Sequence, residues 1–213
     1  MDFRNLLRLV GDEPAFESSL LMAGDVDPAE VRLQLSRWTL AGKIYQVRRG
    51  LYSLAPPYQK IKPHPFMIAN KMLRASYVSC QSALAFYGLI PEYVPVTVSV
   101  TTTRPGRRET ILGVFEFHHI KSDLFRGYRL TDLGGGQQAF VATPEKALLD
   151  LAYLHPGSIS PAYIQELRLQ NLGRLNLDEL NHQAEGFKSP KLLKVVKNVA
   201  VLVRTEAQEY ESI

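Results

Sequence analysis

Between residues 28 and 41 the apolar side chains Val31, Leu35 and Trp38 recur at i, i+4 and i+7, a single stripe at helical period. The spacing predicts a helix. Asp27 suits its N-cap and Pro28 its first position, Glu30 stands where a capping box closes, and Gly42 supplies the stop. Past that glycine the period shortens to two. IYQVRRGLYSL, residues 44–54, alternates apolar and polar side chains around Arg48, Arg49 and Gly50, and Gly50 takes the positive φ of a tight turn. Upstream, residues 2–10 read as a short amphipathic helix stopped by Gly11. Residues 14–23 read as a second helix, with Pro14 near its start and Gly24 beyond its end. Three helices followed by a hairpin predict a winged helix-turn-helix over residues 1–55.

Pro56, Pro57, Pro63 and Pro65 then crowd residues 56–65, which predicts an extended, semi-rigid linker. Residues 66–74 and 79–88 read as two helices, the second capped by Ser79 and ended by Gly88. From residue 94 the period is again two. VPVTVSVTTT at 94–103 and TILGVFEFHHI at 110–120 predict an antiparallel hairpin with RPGRRE as its turn, and residues 127–132 and 137–142 predict a second pair joined by Gly134, Gly135 and Gly136. Helical spacing returns at 144–154, with Thr143 as N-cap and Pro144 at the first position, and continues at 161–169, 177–185 and 190–203. The expected class is α+β: an N-terminal winged helix-turn-helix followed at residues 66–213 by a larger mixed α+β domain with antiparallel hairpins and C-terminal helices.

A hydrophobic content of 46% over 213 residues supports a core that needs no staples, and the single cysteine, Cys80, rules out an internal disulfide. The opening MDFRNLLRLVGDEP holds no apolar run fit for a signal peptide, and the most apolar stretch, 195–203, is short and broken by Lys197 and Asn198. A cytoplasmic protein that does not enter membranes is expected. Charge changes the picture more. The net charge is only +4, but no acid occurs between Glu30 and Glu92, while Arg32, Arg37, Lys43, Arg48, Arg49, Lys60, Lys62, Lys71 and Arg74 all fall in that window. A run of this kind is often a solvated face. Coinciding with a helix and hairpin, it suggests duplex DNA, whose affinity for proteins comes largely from Lys and Arg on phosphates.

On the helical wheel the arc opposite the apolar stripe carries Arg32, Ser36 and Arg37, with Leu33 and Leu40 among them; Lys43, Arg48 and Arg49 follow along the hairpin. A recognition helix reads base edges with side chains of this kind, and a wing tracks phosphate or the minor groove. Leu33 suits either a thymine methyl or a neighbouring helix. Winged helices also dock on proteins, so an interaction module is the competing reading. Lys60 and Lys62 in the linker, and Lys191, Lys194 and Lys197 at spacing three on the last helix, are further nucleic-acid candidates.

Other constellations are weaker. The glycine triplet lacks the lysine and serine or threonine of a phosphate loop, and the five histidines and Cys80 lack metal-ligand spacing, so neither cofactor nor metal is expected. Cys80 reads as a buried structural thiol. Glu145, Lys146 and Asp150 suggest acid-base partners, but Glu145 and Asp150 share a helix face poorly; the segment reads as a capped, partly buried helix, with a surface role for Glu145 and Lys146 left open. No clustered Asp/Glu pattern supports a nuclease, and the chain is expected not to be an enzyme.

Taken together, GKIYQVRRGLYSL, SYVSCQSALAFYGLIPEYVP, the VTTTRPGRRE and GVFEFHHIKSDLF hairpin and ATPEKALLDLAYL resemble the AbiEi family of antitoxins and transcriptional regulators across nearly the whole chain. The resemblance implies an N-terminal winged helix that binds inverted repeats in its own promoter, and a C-terminal antitoxin domain opposing a nucleotidyltransferase-like toxin without a stable complex. It carries the DNA-contacting role to Arg32, Ser36, Arg37, Lys43, Arg48 and Arg49. Two copies on an inverted repeat, by self-association or cooperative binding, would supply the usual affinity.

Overall fold

The computed structural model describes residues 1–23 and 26–211, with the side chains of residue 161 and of residues 207–211 left out. It is a mixed α+β chain. Helix α1 (Phe3–Val10) opens on the Asp2 carboxylate, which accepts from Asn5 N at 2.7 Å. The expected second helix at 14–23 is instead a short strand, β1 (Phe16–Glu17), followed by a 3-10 turn over Ser18–Met22; Gly24, its expected stop, lies outside the described residues. The reason is tertiary. Phe16 is buried against Tyr52, ring centroids 5.9 Å apart, and pairing with β3 (Leu51–Leu54) fixes it as strand.

Helix α2 (Pro28–Leu40) follows the predicted bounds closely, with Asp27 accepting from Ala29 N at 2.8 Å. Glu30 closes no capping box; its carboxylate meets the N-terminal ammonium of Met1 at 3.3 Å. The helix stops where Gly42 adopts φ +66° and its N–H donates to Thr39 O while Lys43 N donates to Trp38 O, the pair of bonds that satisfies the last carbonyls. Strand β2 (Ile44–Arg48) then pairs antiparallel with β3 through the two-residue turn at Arg49 and Gly50, and the three strands lie in the order β1-β3-β2. Leu6, Val10, Phe16, Leu21, Val31, Leu35, Trp38, Ile44 and Leu54 form one core among these elements.

The opposite side chains of the hairpin, Val47 and Leu51, together with Ala15, pack into the second core, which takes in the rest of the chain. The proline-rich stretch lies along this junction. Pro56–Tyr58 forms a 3-10 turn, Pro63 is buried, and His64 N donates to Gln137 Oε1 at 2.7 Å.

The second core surrounds a six-stranded sheet in the order β6-β7-β5-β4-β9-β8. Its strands are β4 (Ser76–Val78), β5 (Val96–Thr101), β6 (Gly106–Thr110), β7 (Gly113–His119), β8 (Tyr128–Gly134) and β9 (Gln137–Ala142). Helices α3 (Pro65–Met72), α4 (Cys80–Phe86), α5 (Pro144–Leu154), α6 (Pro161–Glu166), α7 (Leu177–Gly186) and α8 (Pro190–Glu211) complete the fold.

The β8-β9 pair is antiparallel as expected. The first expected hairpin is not: β5 and β7 run parallel, with Val96 opposite Val114 and Thr101 opposite His119. The residues read as a turn are themselves the antiparallel partner of β7. Arg107 stands directly opposite Glu116 and its Nη1 donates to that carboxylate at 2.7 Å, so a polar strand occupies the sheet edge, where charge is favoured. Strand β4, absent from the sequence reading, is short and wholly buried, antiparallel to β5 and parallel to β9.

Candidate nucleic-acid interface

Burying Val31, Leu35 and Trp38 turns the other arc of α2 outward. Arg32, Leu33, Ser36, Arg37 and Leu40 are all exposed, and the three polar side chains make no hydrogen bond or ion pair among the described residues. Leu40 is 87% exposed and Leu33 49%, so the arc is an arginine-bearing surface with apolar points. Lys43, at the junction with β2, is half-buried, its ammonium 4.8 Å from the centroid of the Phe3 ring. Phe3 in turn meets Trp38 edge-on at 5.5 Å, which ties the start of α1 to α2.

The hairpin splits its two arginines. Arg49 sits exposed on the turn. Arg48 is folded inward: Nε and Nη2 donate to Lys71 O at 3.2 and 3.0 Å, Nη1 to Arg49 O at 2.8 Å, and Nη2 reaches Glu17 Oε1 at 3.4 Å. A guanidinium so occupied fastens the hairpin to α3, whereas the other wing arginine, Arg49, is left in water.

The acid-free window is also less positive in space than along the chain. Glu17, from before the window, accepts from Arg74 Nη2 on both carboxylate oxygens, at 2.8 and 2.9 Å, and Arg74's hydrogen bonds hold its carboxyl below the ordinary value against partial desolvation. Lys71 points to Ala15 O at 3.5 Å. Lys60 pairs with Asp12 at 2.8 Å, whereas Lys62 is exposed.

On α8 the three lysines differ in their surroundings. Lys191 donates to His155 O at 2.5 Å and Tyr153 O at 3.4 Å, closing the C-terminus of α5, and burial pushes its ammonium down from the usual value. Lys194 and Lys197 are exposed.

The segment after Thr143, expected as a capped and partly buried helix with a surface role open for Glu145 and Lys146, holds a buried polar centre. Glu145 and Lys146 are buried, and Asp150 has no exposed area. Asp150 Oδ2 accepts from Ser79 Oγ at 2.7 Å and Tyr77 OH at 2.9 Å, while Oδ1 pairs with Lys146 one turn earlier. Ser79 therefore spends its hydroxyl on Asp150 and does not cap α4 with its side chain. Burial raises Asp150 and lowers Lys146, each opposed by the contact between them. Glu145 Oε1 accepts from Asn176 N at 2.9 Å. The i, i+4 spacing of Lys146 and Asp150, which puts the two side chains on one helix face, was the available signal.

Burial likewise pushes the Cys80 thiol up, away from reactivity. Among the described residues, no group of three His, Cys, Asp or Glu side chains is placed to hold a metal ion, and no helix is long and apolar enough to cross a membrane.

No family model and no curated protein matches this chain. Among solved structures, the crystal structure of the RV2827C protein from Mycobacterium tuberculosis is similar, with a TM-score of 0.57 and 12% identity, over 92% of this chain and 76% of that one. At that identity the likeness is one of fold.

Proposed function

We propose that the chain is a DNA-binding regulator that lays the exposed arc of α2 in the major groove, with the β2-β3 hairpin beside it as a wing. The observation that carries this reading is the arc itself: Arg32, Ser36 and Arg37 are presented together by a buried apolar stripe and are not engaged elsewhere among the described residues. Arg and Ser on one helix face can meet guanine edges and phosphates, and Arg49 on the hairpin turn adds a phosphate contact. Lys43 contributes from the helix-strand junction. The resemblance to AbiEi antitoxins supplies the rest of the reading: autoregulation at inverted repeats, and opposition through the C-terminal part to a nucleotidyltransferase-like toxin, without a stable complex.

The test is a gel-shift series over salt on the chain's own promoter. Replacing Arg32 and Arg37 by Ala should weaken binding and lower the salt slope by about two, one unit for each phosphate-neutralising charge lost. Unchanged affinity and slope would sink the DNA reading. The antitoxin half is tested separately, by whether co-expression relieves the toxicity of a neighbouring nucleotidyltransferase-like gene. Exposure of Leu33 and Leu40 favours a second reading, in which the same arc docks on a protein; failure to bind duplex DNA at physiological salt would select it.

A further inference from the structure

A hollow of about 570 Å³ opens against the six-stranded sheet, floored by Ile90, Val96, Val98, Leu151 and Leu154. Another, of about 590 Å³, has Phe66, Phe86 and Leu112 among its walls and Lys62 at its edge, so the basic group of an occupant belongs at the first hollow. Both are bounded by residues 92–95, so this stretch is a ridge between two apolar depressions. Tyr93 stands on the ridge 88% exposed. A large aromatic left in water beside two hydrophobic hollows is the composition from which protein interfaces draw their strongest contacts.

Charge identifies what fits. Glu92, Glu116 and Glu166 rim the first hollow, and no lysine or arginine lines it. Two of these acids already have partners outside: Arg107 on Glu116 at 2.7 Å and Arg168 on Glu92 at 3.5 Å. Arg168 is largely solvated, so its pair with Glu92 holds little energy and an arriving cation can replace it. Glu166 has no cationic partner among the described residues. The same rim repels phosphate, which sets this face apart from α2. Two hollows sharing one ridge call for an extended occupant, because a compact ligand would fill one and leave Tyr93 in water.

We propose that the Tyr93 ridge and its two hollows form a docking face for an extended segment of a partner protein, one that carries apolar side chains next to arginine or lysine. The apolar side chains fill the hollows on either side of Tyr93, and the basic group meets Glu166. This surface stands on observations separate from the DNA reading.

The probes are three fluorescein-labelled synthetic peptides of equal length, composed of Leu and Arg, Leu and Glu, or Ser and Arg, titrated into the full chain at physiological salt and followed by anisotropy. The net charge of +4 works against basic peptides in general, so preference for one must arise locally. The Leu-Arg peptide should bind tightest. Tyr93→Ser should weaken it about tenfold, the loss expected of a central aromatic anchor. Glu166→Lys should weaken it about threefold to fivefold, the scale of a rim charge. Both side chains are exposed, and melting curves superposing on the parent establish that the variants fold. Arg32→Ala with Arg37→Ala should leave peptide binding unchanged, so docking and DNA binding fail independently. Equal binding of the Ser-Arg peptide, tighter binding of the Leu-Glu peptide, or full affinity retained in both ridge variants would overturn the proposal.

Discussion

The guanidinium of Arg48 donates twice to the main-chain carbonyl of Lys71, at 3.0 and 3.2 Å, bridging 23 positions of sequence and fastening the hairpin to α3. Its neighbour Arg49 faces water. Arg48→Ala should therefore lower stability by about 1.5–3 kcal/mol, the range for hydrogen bonds to a charged group, read by urea unfolding. Arg49→Ala should leave stability within about 0.5 kcal/mol and, on the DNA-binding proposal, weaken DNA binding to a similar degree on every sequence, as loss of a phosphate contact does. The reverse pattern would refute the division of labour between them.

The Lys146–Asp150 pair predicts a different energetic signature. Removing one partner strands a buried charge, so Asp150→Ala should cost about 3–5 kcal/mol. Replacing both, as Lys146→Met with Asp150→Leu, strands only the Tyr77 and Ser79 hydroxyls and should cost less than the single change. Denaturant curves on the two variants decide it: a double variant at least as unstable as Asp150→Ala would refute the prediction.

His64 makes stability depend on pH. Its Nδ1 accepts from Phe66 N at 3.2 Å to cap α3, and burial holds its pKa below the ordinary value of 6.5. As pH falls through 6.5 the unfolded chain takes up the proton first, so stability declines from there until the folded imidazole titrates in turn. Protonation also removes the acceptor that caps the helix. His64→Asn keeps a capping acceptor without titrating and should flatten this part of the stability profile; His64→Ala should lose about 1 kcal/mol at neutral pH. A slope unchanged in His64→Asn would assign the decline to another group.

On the DNA-binding proposal, base readout can be separated from phosphate contact on α2. Arg32→Ala or Arg37→Ala, if the residue reads a base edge, should relax discrimination at one operator position by about 1–3 kcal/mol. Competition binding against singly substituted operators measures it, and uniform weakening at every position would assign that arginine to the backbone.

Elements with strong local signals were readable from the sequence. Helices α2 and α5 carry a cap, a proline and a regular apolar stripe, and both fall within a residue of expectation. What failed was decided by distant partners. Phe16 sits in helical-looking sequence but is claimed by Tyr52 across the sheet, and GRRET looks like a turn until Arg107 finds Glu116. Strand β4 is too short to show a period. The α2 arc was legible because a helix fixes which residues share a face, whereas the fates of Arg48, Lys60, Arg74 and Lys191 depend on acids and carbonyls that come near only in three dimensions.

The position of β4 bears on how the chain comes off the ribosome. The first sheet has all its strands by residue 54. Strand β4, in the interior of the second sheet, emerges ahead of both neighbours: Val78 waits for Ser99 on one side and, on the other, for Val141. Until then its apolar faces and unpaired amides stay open, and pairing across so long a separation is slow. During synthesis the N-terminal elements can close while the stretch from Ser76 onward is still exposed, the interval in which unpaired strand edges are most open to wrong partners.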